Sequence, residues 1–157
     1  MKATPSQIEK FLVVLAESPH RISVLTHALD DARLCTAPNK RGWSVSDILA
    51  HLRSCADIWT HSIYAMLAEK EPVLPDINER KWAKVTRYAE LPFADSFQCF
   101  ISQRDNLLRV LRDLPLESWE KSTMIFGRKH TVFSQVRRMA LHEIEHCDQI
   151  EGLLNQI

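Results

Sequence analysis

Apolar side chains recur along most of the chain at the three- and four-residue spacing of an amphipathic helix. Ile8, Phe11, Leu12 and Leu15 form the first stripe and predict a helix over residues 5–17. Ser18-Pro19 is expected to cap and restart or kink it, because proline cannot donate the next helical hydrogen bond, and Ile22, Leu25 and Leu29 continue the apolar face. A polar, proline-containing stretch over residues 30–42 ends this first arm. Ser44 and Asp47 then stand three apart, the spacing of a capping box, with the carboxylate also favoured by the helix dipole. From there Ile48, Leu49, Leu52, Cys55, Ala56, Trp59, Ile63 and Met66 trace one face to about residue 68.

Residues 70–92 form a long connection with three prolines and an amphipathic piece around residues 82–88, the length at which connections become lids or site walls. A third helix is predicted from about Ala94, carrying Phe97, Phe100, Ile101, Leu107, Leu108 and Leu111 inward and stopping near Leu114-Pro115. Residues 116–130 read as irregular, with a tight turn or small hairpin around Gly127, and the last helix runs from about Val132 to Asn155. Only three glycines and little strand-like alternation favour helix elsewhere. The expected fold is therefore all-α: a four-helix bundle with a long connection between the second and third helices, in a single domain spanning residues 1–157.

Composition narrows the function classes. Twenty basic side chains balance twenty acidic ones, so the chain has no general attraction to nucleic acid or anionic membrane, and neither is expected as a partner. The longest apolar run, residues 11–16, is too short to span a membrane and is flanked by charge. Cys35, Cys55, Cys99 and Cys147 are scattered, without a C-x-x-C pair, which suits a reducing compartment and a cytoplasmic location. At 157 residues the chain can bury a core without disulfides or a structural metal, so stability does not demand a metal.

That chemistry is suggested by the histidines. His20, His27, His61 and His130 occupy polar or loop positions and read as solvated or hydrogen-bonded side chains. His142 and His146 differ, because they stand four apart on the last helix, where two imidazoles can converge on one ion. The intervening residues spell H-E-x-x-H, the string of a zinc protease, but a zincin draws its third ligand from further along the chain. Only eleven residues follow His146, none is histidine, and Glu145 puts charge where zincin helices are apolar. The third ligand should come from upstream, and His51, at the edge of the second helix's apolar face, is the best candidate. Three imidazoles leave one position open, the arrangement of a catalytic site.

The stretches G-W-S-V-S-D-I-L-A-H-L at 42–52, R-D-N-L-L-R-V-L at 104–111 and M-A-L-H-E-I-E-H-C-D-Q-I at 139–150 resemble the DinB/YfiT-like superfamily of metalloenzymes. The resemblance spans nearly the whole chain and implies a four-helix bundle with the metal held by His51, His142 and His146. It also implies thiol-dependent chemistry: an S-transferase using a low-molecular-weight thiol co-substrate, or a related hydrolase, acting on a small molecule. The expected cofactor is one divalent transition metal, zinc or nickel first and iron next.

Glu143 projects near the centre of the last helix's apolar face, where an ionised carboxylate is costly unless paired. It is the candidate catalytic residue, as a base or as an acceptor orienting a ligand imidazole; pairing with a buried arginine is its structural alternative. Asp148 and Gln149 are expected to point elsewhere, and Cys147 to pack in the core. Trp43, Trp59 and Trp82 are candidate pocket walls, with core packing the simpler role for Trp59. Leu141 and Ile144 lie on the other side of the last helix and offer a homodimer seam. A non-catalytic ligand-binding or interaction bundle, with its histidines structural, is the competing reading.

Overall fold

In the computed structural model, which describes residues 3–155, helix α1 (Pro5–Thr26) continues past Pro19 instead of capping and restarting there. Pro19 removes one helical hydrogen bond. The Ser18 hydroxyl donates to the Val14 carbonyl at 2.9 Å, and Leu15, Ser18, Pro19 and Ile22 are all buried, so packing on both sides of the proline holds one rod together. A short helix α2 (Asp31–Leu34), capped by Asp30, lies within the polar, proline-containing stretch and buries Leu34. Helix α3 (Val45–Ala68) begins at the expected capping box, with Ser44 and Asp47 each serving the other's backbone N–H.

The long connection holds helix α4 (Glu79–Thr86), and α5 (Phe93–Arg112) and α6 (Val132–Leu154) complete the bundle. Strands β1 (Ser122–Ile125) and β2 (Arg128–Thr131) form the hairpin expected around Gly127. Its two turn residues, Phe126 and Gly127, have φ of 48° and 68°, the paired positive angles of a type I′ turn.

Side-chain pairs fix the helix directions. Phe11 meets Phe133, and Arg21 meets Asp148 and Glu151, so α1 and α6 run parallel. Arg53 bonds Ser96, and Asp57 bonds Gln103, so α3 and α5 also run parallel. His51 meets His142 while Trp59 meets Arg138, which sets α3 antiparallel to α6. The parallel α3–α5 pair explains the long connection: the chain must travel back along the 24 residues of α3, about 36 Å, before α5 can start.

Helix α4 uses that return to dock on α3. Trp82 Nε1 and the Tyr88 hydroxyl both donate to Asp57 Oδ2, at 3.0 and 2.7 Å, and Gln103 Nε2 donates to Oδ1 at 2.8 Å. Trp82 thus anchors α4 to the bundle. Two apolar clusters make the core, one around Leu15, Ile63, Leu107 and Trp119, the other around Ile22, Ile48, Phe100 and Ile150. Arg104 reaches between them, its guanidinium 5.5 Å from the Phe100 ring centre and 2.7 Å from Met139 Sδ.

Candidate metal centre

Antiparallel packing of α3 on α6 carries His51 to His142, and the helical repeat adds His146 one turn later. His142 Nε2 lies 3.0 Å from His51 Nε2 and 3.1 Å from His146 Nε2. Among the described residues these three form the group whose ligand atoms all lie within 4.8 Å of one another. Nitrogens bound tetrahedrally at 2.0–2.1 Å stand roughly 3.3 Å apart, so the observed spacing fits one shared ion within a few tenths of an ångström.

Hydrogen bonding alone does not account for the cluster. His146 Nδ1 lies 2.7 Å from Gln149 Oε1; donating its proton there leaves a lone pair on Nε2 facing His142. A neutral His142 can offer Nε2–H to only one of its two neighbours, and its Nδ1 is buried without a partner. Protonation is no remedy. Burial, then the neighbouring His146 and His51, push His142 down to about 3, and burial followed by His146 lowers His51. Three ring nitrogens turned toward one another, with burial disfavouring the protonated form of His142 and His51, suit a metal cation.

Aromatic rings frame the cluster. Trp43 lies 5.2 Å from the His51 ring centre and stacks on His146 at 6.3 Å, and the edge of Trp59 meets His142 at 4.9 Å. Trp43 is 44% exposed and so forms the outer wall, whereas Trp59 is buried and serves both wall and core. Cys55 Sγ lies 3.7 Å from His51 Nε2, but burial pushes its thiol up to about 12 and keeps it protonated. A cleft of about 460 Å³ opens beside His51 and His142, bounded by Cys55, Trp59, residues of α4 and the outward face of α6.

Glu143 does not line this cleft. Its side chain is buried and one oxygen accepts from Arg104 Nη2, the arginine pairing set out as its structural alternative. Burial raises its carboxyl above the usual range while the Arg104 guanidinium opposes that shift. Gln149, expected to point away, instead orients His146; the three-residue spacing on one helix face was the available signal. Asp148 faces Arg21 at 2.7 Å, Cys147 is buried, and His20, His27, His61 and His130 stay outside the cluster. Leu141 and Ile144 are 38% and 37% exposed.

The sequence profile of the DinB superfamily matches residues 15–150, a span that includes all three histidines. The chain belongs to the DinB superfamily. Two relatives carry the provisional name metal-dependent hydrolase: one from Halalkalibacterium halodurans, 26% identical over 68% of this chain, and one from Bacillus cereus, 25% identical over 76%. The matches span 62% and 68% of those relatives' own lengths. In three dimensions this DinB chain is similar to YfiT from Bacillus subtilis, described as a probable metal-dependent hydrolase with an unusual four-helix bundle topology. The TM-score is 0.87 at 18% identity, covering 99% of this chain and 90% of YfiT. A mycothiol-dependent maleylpyruvate isomerase superposes with a TM-score of 0.73 at 14% identity, covering 91% of this chain and 60% of the isomerase. Both likenesses establish the fold. No described helix is long and apolar enough to cross a membrane.

Proposed function

We propose that this protein is a metal-dependent enzyme that delivers a nucleophile, water or a low-molecular-weight thiol, to an electrophilic small molecule at the His51–His142–His146 centre. The observation that carries the reading is the convergence of three imidazole Nε2 atoms, with His51 and His142 lining an open cleft. The potential ligand group ends at three among the described residues, which supports a site with a position left for a reactant over a closed structural one. A divalent ion, zinc or nickel first and iron next, supplies Lewis acidity toward the water or thiol when bound.

The chain's own residues supply the rest. Gln149 fixes the tautomer of His146 and aims its Nε2 inward. Trp43 and Trp59 hold the imidazole rings in place and exclude bulk water from two sides. The Arg104–Glu143 pair ties α5 to α6 beneath the centre, so we assign Glu143 a positioning role. The carboxylates that face the cleft are Glu79 and Glu145, and these are the groups able to take a proton from an incoming nucleophile. The names of the two curated relatives favour hydrolysis, and a thiol transferase differs only in the nucleophile admitted.

Elemental analysis of protein purified without a histidine tag tests the centre. About one divalent ion per chain is expected, with near-complete loss in His142→Ala at unchanged helical circular dichroism. A metal-free wild type that takes up no zinc, nickel or iron would overturn the proposal. Turnover of an electrophile panel with and without added thiols then separates hydrolase from transferase.

A further inference from the structure

The cleft beside the histidines carries a local charge that the chain as a whole lacks. Formal charges balance to +0, yet Arg80 from α4 and Arg137 and Arg138 from α6 all line this cleft, against Glu79 and Glu145. Arg138 is already engaged: its Nη2 lies 3.3 Å from Glu79 Oε1 and its guanidinium 4.4 Å from the Trp59 ring centre. Among the described residues Arg80 and Arg137 form no ion pair. Two unpaired guanidinium groups from different helices therefore share one concave surface, with a single unpaired carboxylate against them. Apolar walls at Trp59 and Leu141 strengthen such a field and concentrate anions in it. A volume of about 460 Å³ suits a small organic molecule.

We infer that the cleft recognises a small organic substrate through an anionic group, a carboxylate or a phosphate, gripped by Arg80 and Arg137 while the reacting carbon lies against the histidines. Guanidinium suits this task because its planar fork of donors matches both anions, and the charge-assisted bonds it makes are stronger than neutral ones. The placement of the reacting carbon rests on the metal-dependent reading above. The anion grip itself requires no metal.

The test is calorimetric titration of the full-length, zinc-loaded protein at fixed ionic strength with three probes: succinate, inorganic phosphate and the neutral succinamide. At least one anion should bind about tenfold more tightly than succinamide, and which one binds distinguishes carboxylate from phosphate recognition. The double variant Arg80→Ala/Arg137→Ala should lose about tenfold or more of that anion affinity at unchanged zinc content, and Arg80→Lys/Arg137→Lys should keep part of it. Equal binding of succinate, phosphate and succinamide, or anion binding unchanged in the double alanine variant, overturns the inference. The same titrations on zinc-free His142→Ala separate the two proposals. Arginine-dependent anion binding there supports the grip whether or not the wild type takes up metal, and its absence in both proteins defeats the grip even where the metal is bound.

Discussion

His51 and His142 are 91 positions apart in sequence, yet their Nε2 atoms stand 3.0 Å from each other. Neither helix has a local reason to present a half-buried imidazole to the other, and the contact gains most when a cation lies between the rings. Metal binding should therefore stabilise the fold. At a free metal concentration of about 100 times Kd, the melting temperature should correspond to about 2.7 kcal/mol more stability than in chelator. Differential scanning calorimetry with and without a chelator measures this, and His51→Ala should abolish the difference while leaving a cooperative transition.

Acid sensitivity of the metal-free protein follows from the same centre. An unfolded histidine titrates near 6.5, whereas His142 in the fold is pushed down to about 3 and His51 is lowered in the same direction. The unfolded chain then binds protons that the folded centre refuses. The contribution is present in full above about pH 6.5 and is lost progressively as pH falls toward 3. Discounted for the partial solvent access of His142, the loss should be on the order of 2 kcal/mol, read as a falling urea midpoint in chelator between about pH 6.5 and 4. His142→Ala should flatten the profile; an unchanged slope in that variant would assign the acid loss elsewhere.

Much of this centre could be read from the letters, and the rest had physical reasons for staying hidden. His142 and His146 were legible because helical geometry alone makes residues four apart neighbours. Ser44 and Asp47 announced the start of α3, and with it the face on which His51 lies. Continuity of α1 through Pro19 was not legible, since it depends on burial of Leu15 and Ile22 by other helices. The partner of Glu143 could be named as an arginine but not as Arg104, because tertiary packing decides which side chain crosses the core. Arg80 was invisible as a site residue for a related reason: α4 is brought to the cleft by the docking of Trp82 and Tyr88 on Asp57, a set of contacts with no sequence periodicity.

Gln149 offers a test of the centre that leaves every proposed ligand in place. Its Oε1 lies 2.7 Å from His146 Nδ1, so removing the acceptor frees the ring to turn and to exchange tautomers. Gln149→Ala should weaken zinc affinity by about tenfold. Gln149→Glu should restore or exceed wild-type affinity, because a carboxylate is the stronger acceptor for that N–H. The residue is exposed, so neither change should move the metal-free melting temperature by more than about 0.5 kcal/mol equivalent, and competition with a chromophoric chelator separates affinity from stability.

Arg104 and Glu143 each have side chains only 2% exposed, and neither charge has water to turn to. Arg104 Nε also lacks a hydrogen-bond partner among the described residues, so the pair holds the helices at a cost in desolvation. Glu143→Gln strands the arginine charge in the core and should destabilise the protein by about 3–5 kcal/mol in urea unfolding. Arg104→Met/Glu143→Leu removes both charges together and should be less destabilised than either single change, the non-additivity expected of residues in contact. The double variant also decides what Glu143 does for function. Folded and metal-loaded, it should retain most turnover and the wild-type pH profile of kcat if the residue only positions α6. A collapse of kcat at full metal content would instead place its carboxylate in the chemistry.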